Sequence, residues 1–280
     1  MKKHFVRLTF IAILIAIGGS VYAQDAVTLK YNFITGKTYV QRTEVSQNIV
    51  QTMGGQEIKV LVEIKSESEF AVEGVGNDGN ATVLLSPVEI SVRQAAMGSD
   101  TTLNYKDLKE KSRIIYAITG KSISSTKVDS SQASSVVDQV DPGKLKILPG
   151  KPVKVGDKWQ DKSVDNIKAS GSTPFAVEIN NDIEYSLVGK ETRDGKEYYK
   201  ISYSGTMAVS GKGTQMGMEM AMEGTGKTEG FCWFDPKTSM IVNSEDNTEM
   251  DTSVAISGPQ NMTIPMTQSI KSTTTFEEKK

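Results

Sequence analysis

Along most of the chain, apolar and polar residues alternate with a period of two. Between Ile58 and Val75, Val60, Val62, Ile64, Phe70 and Val72 share one strand face, while Lys59, Glu63, Lys65, Glu67, Glu69 and Glu73 take the other. A second stretch repeats the pattern with Phe175, Val177, Ile179, Ile183, Tyr185 and Leu187. Such alternation with one charged face predicts antiparallel strands that are covered on one side and wet on the other. Turn signals separate the runs at Gly54-Gly55, at Asn77-Asp78-Gly79-Asn80, at Asp194-Gly195 and at Asp235-Pro236-Lys237. Asp-Gly between two alternating runs is a hairpin signature, because both central residues must accept a positive φ. The fold class expected is therefore mainly β, with long strands curving into a half-barrel-like sheet or two such units face to face.

The parts recur in one order, which predicts two similar halves. Gly36-Lys37-Thr38-Tyr39 opens the first and Gly156-Asp157-Lys158-Trp159 the second. Each continues through a long strand, a turn and a return strand. Each then closes on a hairpin, Arg113 to Ser125 in the first and Gly230 to Ser244 in the second. The organisation expected is a first β half over 24–128, a linker over 129–148 and a second β half over 149–280. Ser130 to Val140 is the one helix candidate, with Val136, Val137 and Val140 on one side and Asp141-Pro142-Gly143 as its stop. Thr273 to Thr275 should finish a strand, and Glu277 to Lys280 should fray.

Residues 1–23 read as a secretory signal. Lys2, Lys3 and Arg7 form a basic start, Leu8 to Ile17 an apolar run, and Val21-Tyr22-Ala23 a small-residue cleavage site before Gln24. The apolar run is short for a membrane span. The mature protein is thus expected to be exported, periplasmic or secreted, and not membrane-spanning. Cleavage removes the only histidine, His4, and with it the usual general base and commonest metal ligand. It also shifts the net charge from −2 to −5 by taking Lys2, Lys3 and Arg7 away. With no block of either sign, nucleic acid is not an expected partner. Cys232 is the single cysteine, so an internal disulfide is excluded.

The most specific string runs Ile147-Leu148-Pro149-Gly150-Lys151-Pro152-Val153-Lys154-Val155-Gly156-Asp157-Lys158-Trp159. Physically it is a proline-stiffened extended lead-in, a glycine turn, and an indole expected to plug one end of the sheet. With Leu29-Lys30-Tyr31-Asn32-Phe33 upstream, it resembles a family of uncharacterised secreted bacterial β-proteins, a domain of unknown function. That resemblance brings no activity and no site residues. The duplicated curved-sheet layout is also similar, by architecture alone, to periplasmic lipoprotein-carrier folds.

Met216, Met218, Met220 and Met222 occupy every second position, which lines four thioethers along one strand face about 6.5–7 Å apart. As a soft filler they would complete a core; as an adaptable surface they would hold a lipid-like or peptide guest. Soft-metal binding, chiefly Cu(I), is a third reading with no histidine or cysteine pair to assist it. Trp159 and Trp233 complete the candidate apolar ligand surface. In Phe231-Cys232-Trp233 the aromatics should face one way and Cys232 the other, as an inert buried thiol. The glutamates that alternate with lysines read as a solvated face, so no catalytic residue, cofactor or metal is assigned. The function expected is a non-catalytic exported protein that binds or carries an apolar, lipid- or lipoprotein-like ligand. A structural or assembly role with another envelope protein is the alternative.

Overall fold

Each two-periodic run becomes a strand, and the turn signals fall at the reversals. The computed structural model describes residues 26–106, 108–129, 143–167, 175–215, 217–258 and 261–280. Among them every regular element is a strand: β1 (Val27–Thr28), β2 (Thr38–Met53), β3 (Gln56–Val75), β4 (Ala81–Ala96), β5 (Ser99–Lys106), β6 (Lys111–Tyr116) and β7 (Ser122–Asp129). Then come β8 (Pro152–Val153), β9 (Lys158–Ile167), β10 (Phe175–Arg193), β11 (Lys196–Gln215), β12 (Met218–Asp235), β13 (Met240–Ser257) and β14 (Met262–Glu278). The helix candidate Ser130 to Val140 lies outside the described residues. Gly54-Gly55 (φ 59° and 81°) and Asp194-Gly195 (φ 50° and 74°) make the tight hairpins their sequences announce. A further hairpin turns at Met97-Gly98 with φ 51° and 83°, where only the glycine gave a signal.

Twelve strands form one curved antiparallel sheet in the order β7-β6-β4-β3-β2-β14-β13-β12-β11-β10-β9, with β5 also paired to β4. The meander closes on itself in the middle, because the first long strand β2 pairs with the last, β14. β7 and β9 end this order, and β5, paired only with β4 among the described residues, presents a third open edge. The tail expected to fray is instead paired: Glu278 lies opposite Tyr39, and Lys279 N–H donates to Thr38 O at 2.8 Å. Ion pairs of Lys37 with Glu278, Arg42 with Glu277 and Lys279 with Glu69 hold it there.

The twenty residues of β3 extend about 66 Å at roughly 3.3 Å each, far beyond what one core layer needs. The core accordingly sits at one end of the concave face. Leu29, Tyr31 and Phe33 lie inside it, together with Phe70, Tyr116, Leu148, Leu187, Ile201, Cys232 and Phe234. Two extended segments supply this plug. Residues 27–34 and 143–153 cross the concavity side by side, with Tyr31 N–H donating to Ile118 O, Leu148 N–H to Thr119 O and Gly150 N–H to Leu29 O. Tyr31, Phe33 and Tyr116 stack in series, and Phe70 meets Phe276 edge to face.

The two opening turns share one hydrogen-bond pattern. Gly36 N–H donates to Val72 O while Val72 N–H donates to Lys37 O. Gly156 N–H donates to Leu187 O while Leu187 N–H donates to Asp157 O. In the second turn the Asp157 carboxylate also accepts from Lys154 N–H at 2.8 Å. Both place an aromatic three residues after the glycine: Tyr39 stacked on Phe276, and Trp159 stacked on Tyr185 with rings 6° from parallel. Trp159 Nε1 donates to Ile147 O at 2.8 Å, so the indole sits at the rim of the plug.

The convex face carries the charges. Arg93 joins Glu63 and Asp100, Arg113 joins Glu73, and Arg42 joins Glu67. This is the wet face that the alternation of β3 requires.

Candidate ligand-binding cavity

Beyond the plug the long strands continue and their concave faces no longer meet. They enclose a cavity of about 960 Å³, at the upper end of the range for small-molecule sites. Its floor is a polar cluster. Asp246 on β13 accepts from Tyr203 Oη and from Lys146 Nζ, both at 2.5 Å, and from Ser272 Oγ at 3.1 Å. The Lys146 ammonium also lies 4.5 Å from the centre of the Tyr203 ring. Lys146 belongs to the crossing segment, and its carbonyl accepts from Tyr31 Oη at 2.9 Å. Plug and cavity floor are therefore tied together through this segment. Burial first, and then the Asp246 charge, push the Tyr203 hydroxyl far above the usual phenol range. It stays a neutral donor, and Asp246, already holding three donors, is spent as a structural acceptor.

Above the floor the wall is a polar belt with apolar patches. Lys144 Nζ reaches Asp165 at 2.5 Å, and Asn181 donates to the same carboxylate at 2.9 Å. Thr43 bonds Thr274 at 3.2 Å, and Thr248 donates to Thr228 at 2.9 Å. Val45, Ile64, Ile270 and Met207 interrupt the belt. Three lining oxygens, Gln41 Oε1, Ser163 Oγ and Asn243 Oδ1, are buried without a hydrogen-bond partner in the protein. Each unmet buried acceptor costs about 1–3 kcal/mol. The signal for this belt was present in β2, whose concave positions Gln41, Thr43 and Gln47 are polar, so that the strand is polar on both faces. A sheet resting on an oily core does not need that.

The candidate residues named from sequence separate. Met220 and Met222 lie half-buried on the concave face, in register with Gly213 and Gly211 of β11 and with Ile256 and Val254 of β13. Met207 and Met250 flank Gly226, where an added Cβ would lie 2.6 Å from Met250 Cγ and 3.5 Å from Met207 Cε. The glycines thus make room for thioethers on neighbouring strands. Met218 packs on Gly258 near the strand end, and Met216 lies outside the described residues. Trp159 faces the plug. Trp233 is on the convex side, where its ring lies beneath the Arg193 guanidinium at 4.0 Å and its Nε1 donates to Glu191 at 3.2 Å. It is buried by long charged side chains rather than by the core. Cys232 points the other way into the plug, fully buried, and burial above all pushes its thiol up to about 12.

Among the described residues, no helix is long and apolar enough to cross a membrane. Nor do three or more His, Cys, Asp or Glu residues gather as metal ligands. No curated protein matches the chain. Among solved structures it is similar to the COG4313 outer membrane channel from Pseudomonas putida F1, at 10% identity over 86% of this chain and 96% of that one, with a TM-score of 0.22. It is also similar to OccK5 (OpdH) of Pseudomonas aeruginosa, at 6% identity over 86% and 99% of the two chains, with a TM-score of 0.26. A DUF1329 family protein from Desulfovibrio piger matches at 11% identity over 83% of each chain, with a TM-score of 0.16. At these scores the likenesses carry no argument about function. Residues 143–241, from the crossing segment to the start of β13, match a family of unknown function (DUF6263).

Proposed function

We propose that this protein is an exported, non-catalytic carrier that holds an apolar or amphiphilic guest on its concave face. One observation carries the reading: a curved sheet plugged at one end keeps a cavity of about 960 Å³ open beyond the plug, walled by Met207 and aliphatic side chains between polar groups. The ion-paired convex face supports a protein bathed in water, because a barrel embedded in lipid needs an apolar outer band. The leader over 1–23 supports export. The shared hydrogen-bond pattern at Gly36 and Gly156 supports duplication of one half to make the other. Burying about 300 Å² of guest surface would contribute on the order of 7 kcal/mol before ordering costs. The exposed edges β7 and β9 favour the assembly role less, since Lys158 and Lys162 on β9 guard against strand addition.

Native mass spectrometry of the mature protein, with titration of an apolar fluorescent probe, tests this. The expected result is a co-purified mass or saturable probe uptake. A clean unliganded mass together with no probe binding refutes the carrier.

A further inference from the structure

We infer that the guest is an amphiphile with an uncharged, hydroxyl- or amide-bearing headgroup, seated between Gln41 and Ser163 with its chain running toward the methionine tier. This rests on the carrier reading and narrows it to a ligand class.

Three observations lead there. The first is the set of unmet oxygens, of which Gln41 Oε1 and Ser163 Oγ stand farthest apart in the strand order, with Asn243 Oδ1 between them. Gln41 is only 7% exposed, and its Oε1 has no donor; Ser163 Oγ is equally unpartnered. Both line the cavity, one from β2 and the other from β9, which stand on its opposite walls with five strands between them in the sheet. A headgroup carrying several O–H or N–H groups can satisfy such oxygens; an alkyl chain alone satisfies none.

The second is the charge balance of the lining. Lys146 is matched by Asp246, Lys144 by Asp165 and Lys162 by Asp182. Lys121 and Asp161, one of each sign, are what is left on the wall. An anionic headgroup would find Lys121 as its one unmatched cation, beside the carboxylates of Asp161, Asp165 and Asp246. A cationic one would find Asp161 alone, beside Lys144 and Lys146, so neither sign is favoured. The belt is polar and neutral overall, which suits a neutral headgroup.

The third is the vertical order of the wall. Polar groups lie next to the plug. Along β11 and β12, Tyr203 and Thr228 come first, Met207 follows with Met250 of β13 level with it across Gly226, and Met222 and Met220 lie farther along the same face. Polar end inward and apolar end outward along a single face is the profile of an amphiphile entering headgroup first. Thioethers tolerate chains of different length and bend, so selectivity resides in the belt.

The test uses the full mature protein loaded with an apolar fluorescent probe. The probe is displaced by three amphiphiles of equal chain length below their micelle-forming concentrations: a monoacylglycerol, a fatty acid anion and an alkylammonium. The monoacylglycerol is expected to displace at a tenfold or more lower concentration than either charged competitor. Gln41→Leu with Ser163→Ala should erase that preference to within threefold. Ser163→Ala alone, a small change on an edge strand, should remove at least threefold of it even where the double variant folds poorly. Equal or better displacement by the fatty acid, or a preference untouched by Ser163→Ala, overturns the inference and leaves the carrier standing. Failure of the probe to bind at all overturns the carrier and this inference together.

Discussion

Replacing Asp246 by leucine removes the acceptor on which the cavity floor depends. Lys146 keeps its charge in a place where its side chain is only 27% exposed, and Tyr203 and Ser272 lose a charge-assisted bond each. Stranding one partner of a fully buried pair costs about 3–5 kcal/mol, whereas an exposed pair contributes about 0–1. With Asp246 16% exposed, this pair lies nearer the buried limit, and a loss of about 3 kcal/mol is expected. For a domain of this size that lowers the melting temperature by roughly 6–12 °C. Lys146→Met alone should cost less, because Asp246 retains two donors. The double variant replaces an ion pair by packed apolar groups and should recover about 2 kcal/mol relative to the sum of the singles. Thermal and urea denaturation of the four proteins, followed by circular dichroism, gives the cycle directly. A loss under about 0.5 kcal/mol in Asp246→Leu, or additive singles with no recovery, would refute the account of the floor.

Leu148→Ala empties a fully buried position where the crossing segment meets the plug, and should cost about 2–5 kcal/mol in urea denaturation. Gly230→Ala would place a Cβ 2.2 Å from Glu245 O and 2.6 Å from Tyr203 Oη, so it should destabilise by at least about 2 kcal/mol and shift Tyr203 fluorescence. Native Cys232 should resist iodoacetamide at pH 8 and react only after denaturation; rapid labelling of the folded protein would contradict its place in the plug. The same thiol predicts alkaline destabilisation. Its folded value is raised from 9.0 to about 12, so the unfolded chain gives up its proton first. That contribution is whole below pH 9 and is lost as pH rises toward 12, with buried Tyr185 and Tyr203 adding to the fall at the upper end. Urea midpoints at pH 8 and pH 11 check the sign.

Period and turn chemistry made the local architecture legible, since both act within a few residues. Asp194-Gly195 turns where the dipeptide requires it, and the glutamates of β3 meet their arginines on the wet side. What was not legible depends on partners far away in sequence. Leu29, Tyr31 and Phe33 alternate like a strand but lie as a plug, bonded through Tyr31 N–H to Ile118 O and Asn32 N–H to Ser239 O rather than along a long strand. Trp233 looked like part of an apolar surface, yet hydropathy cannot see the Arg193 guanidinium that covers it. The Met97-Gly98 turn puts a methionine at φ 51°, where Asn or Asp is the usual occupant, so its first residue carried no cue. Tail fraying was expected from a polar chain end, and its charges are what pin it. The cavity floor joins residues 100 positions apart in the chain, Lys146 and Asp246, and neither stands out in its own neighbourhood.

The order of the strands explains why plug and cavity cannot be separated. Pairing β2 with β14 puts the join between the first and last long strands in the middle of the sheet, which leaves β7 and β9 at the two ends of its strand order. Those edges flank the crossing segment in sequence, so the segment has to pass through the concavity near their gap. There it is held at almost every step: the Gly143 carbonyl by Tyr116 Oη, Lys144 by Asp165, Lys146 by Asp246 and Tyr31, Ile147 by Trp159, and Leu148 by Thr119. Each of these bonds closes a long loop, and loop closure costs little more for a long loop than for a short one. The site draws Gln41 from β2, Ser163 from β9 and Asp246 from β13, so no contiguous fragment can carry it. Loosening the crossing segment therefore disturbs core and cavity together. Breaking an exposed pair on the convex face, such as Lys65 with Glu44, should instead cost no more than about 1 kcal/mol and leave the cavity intact.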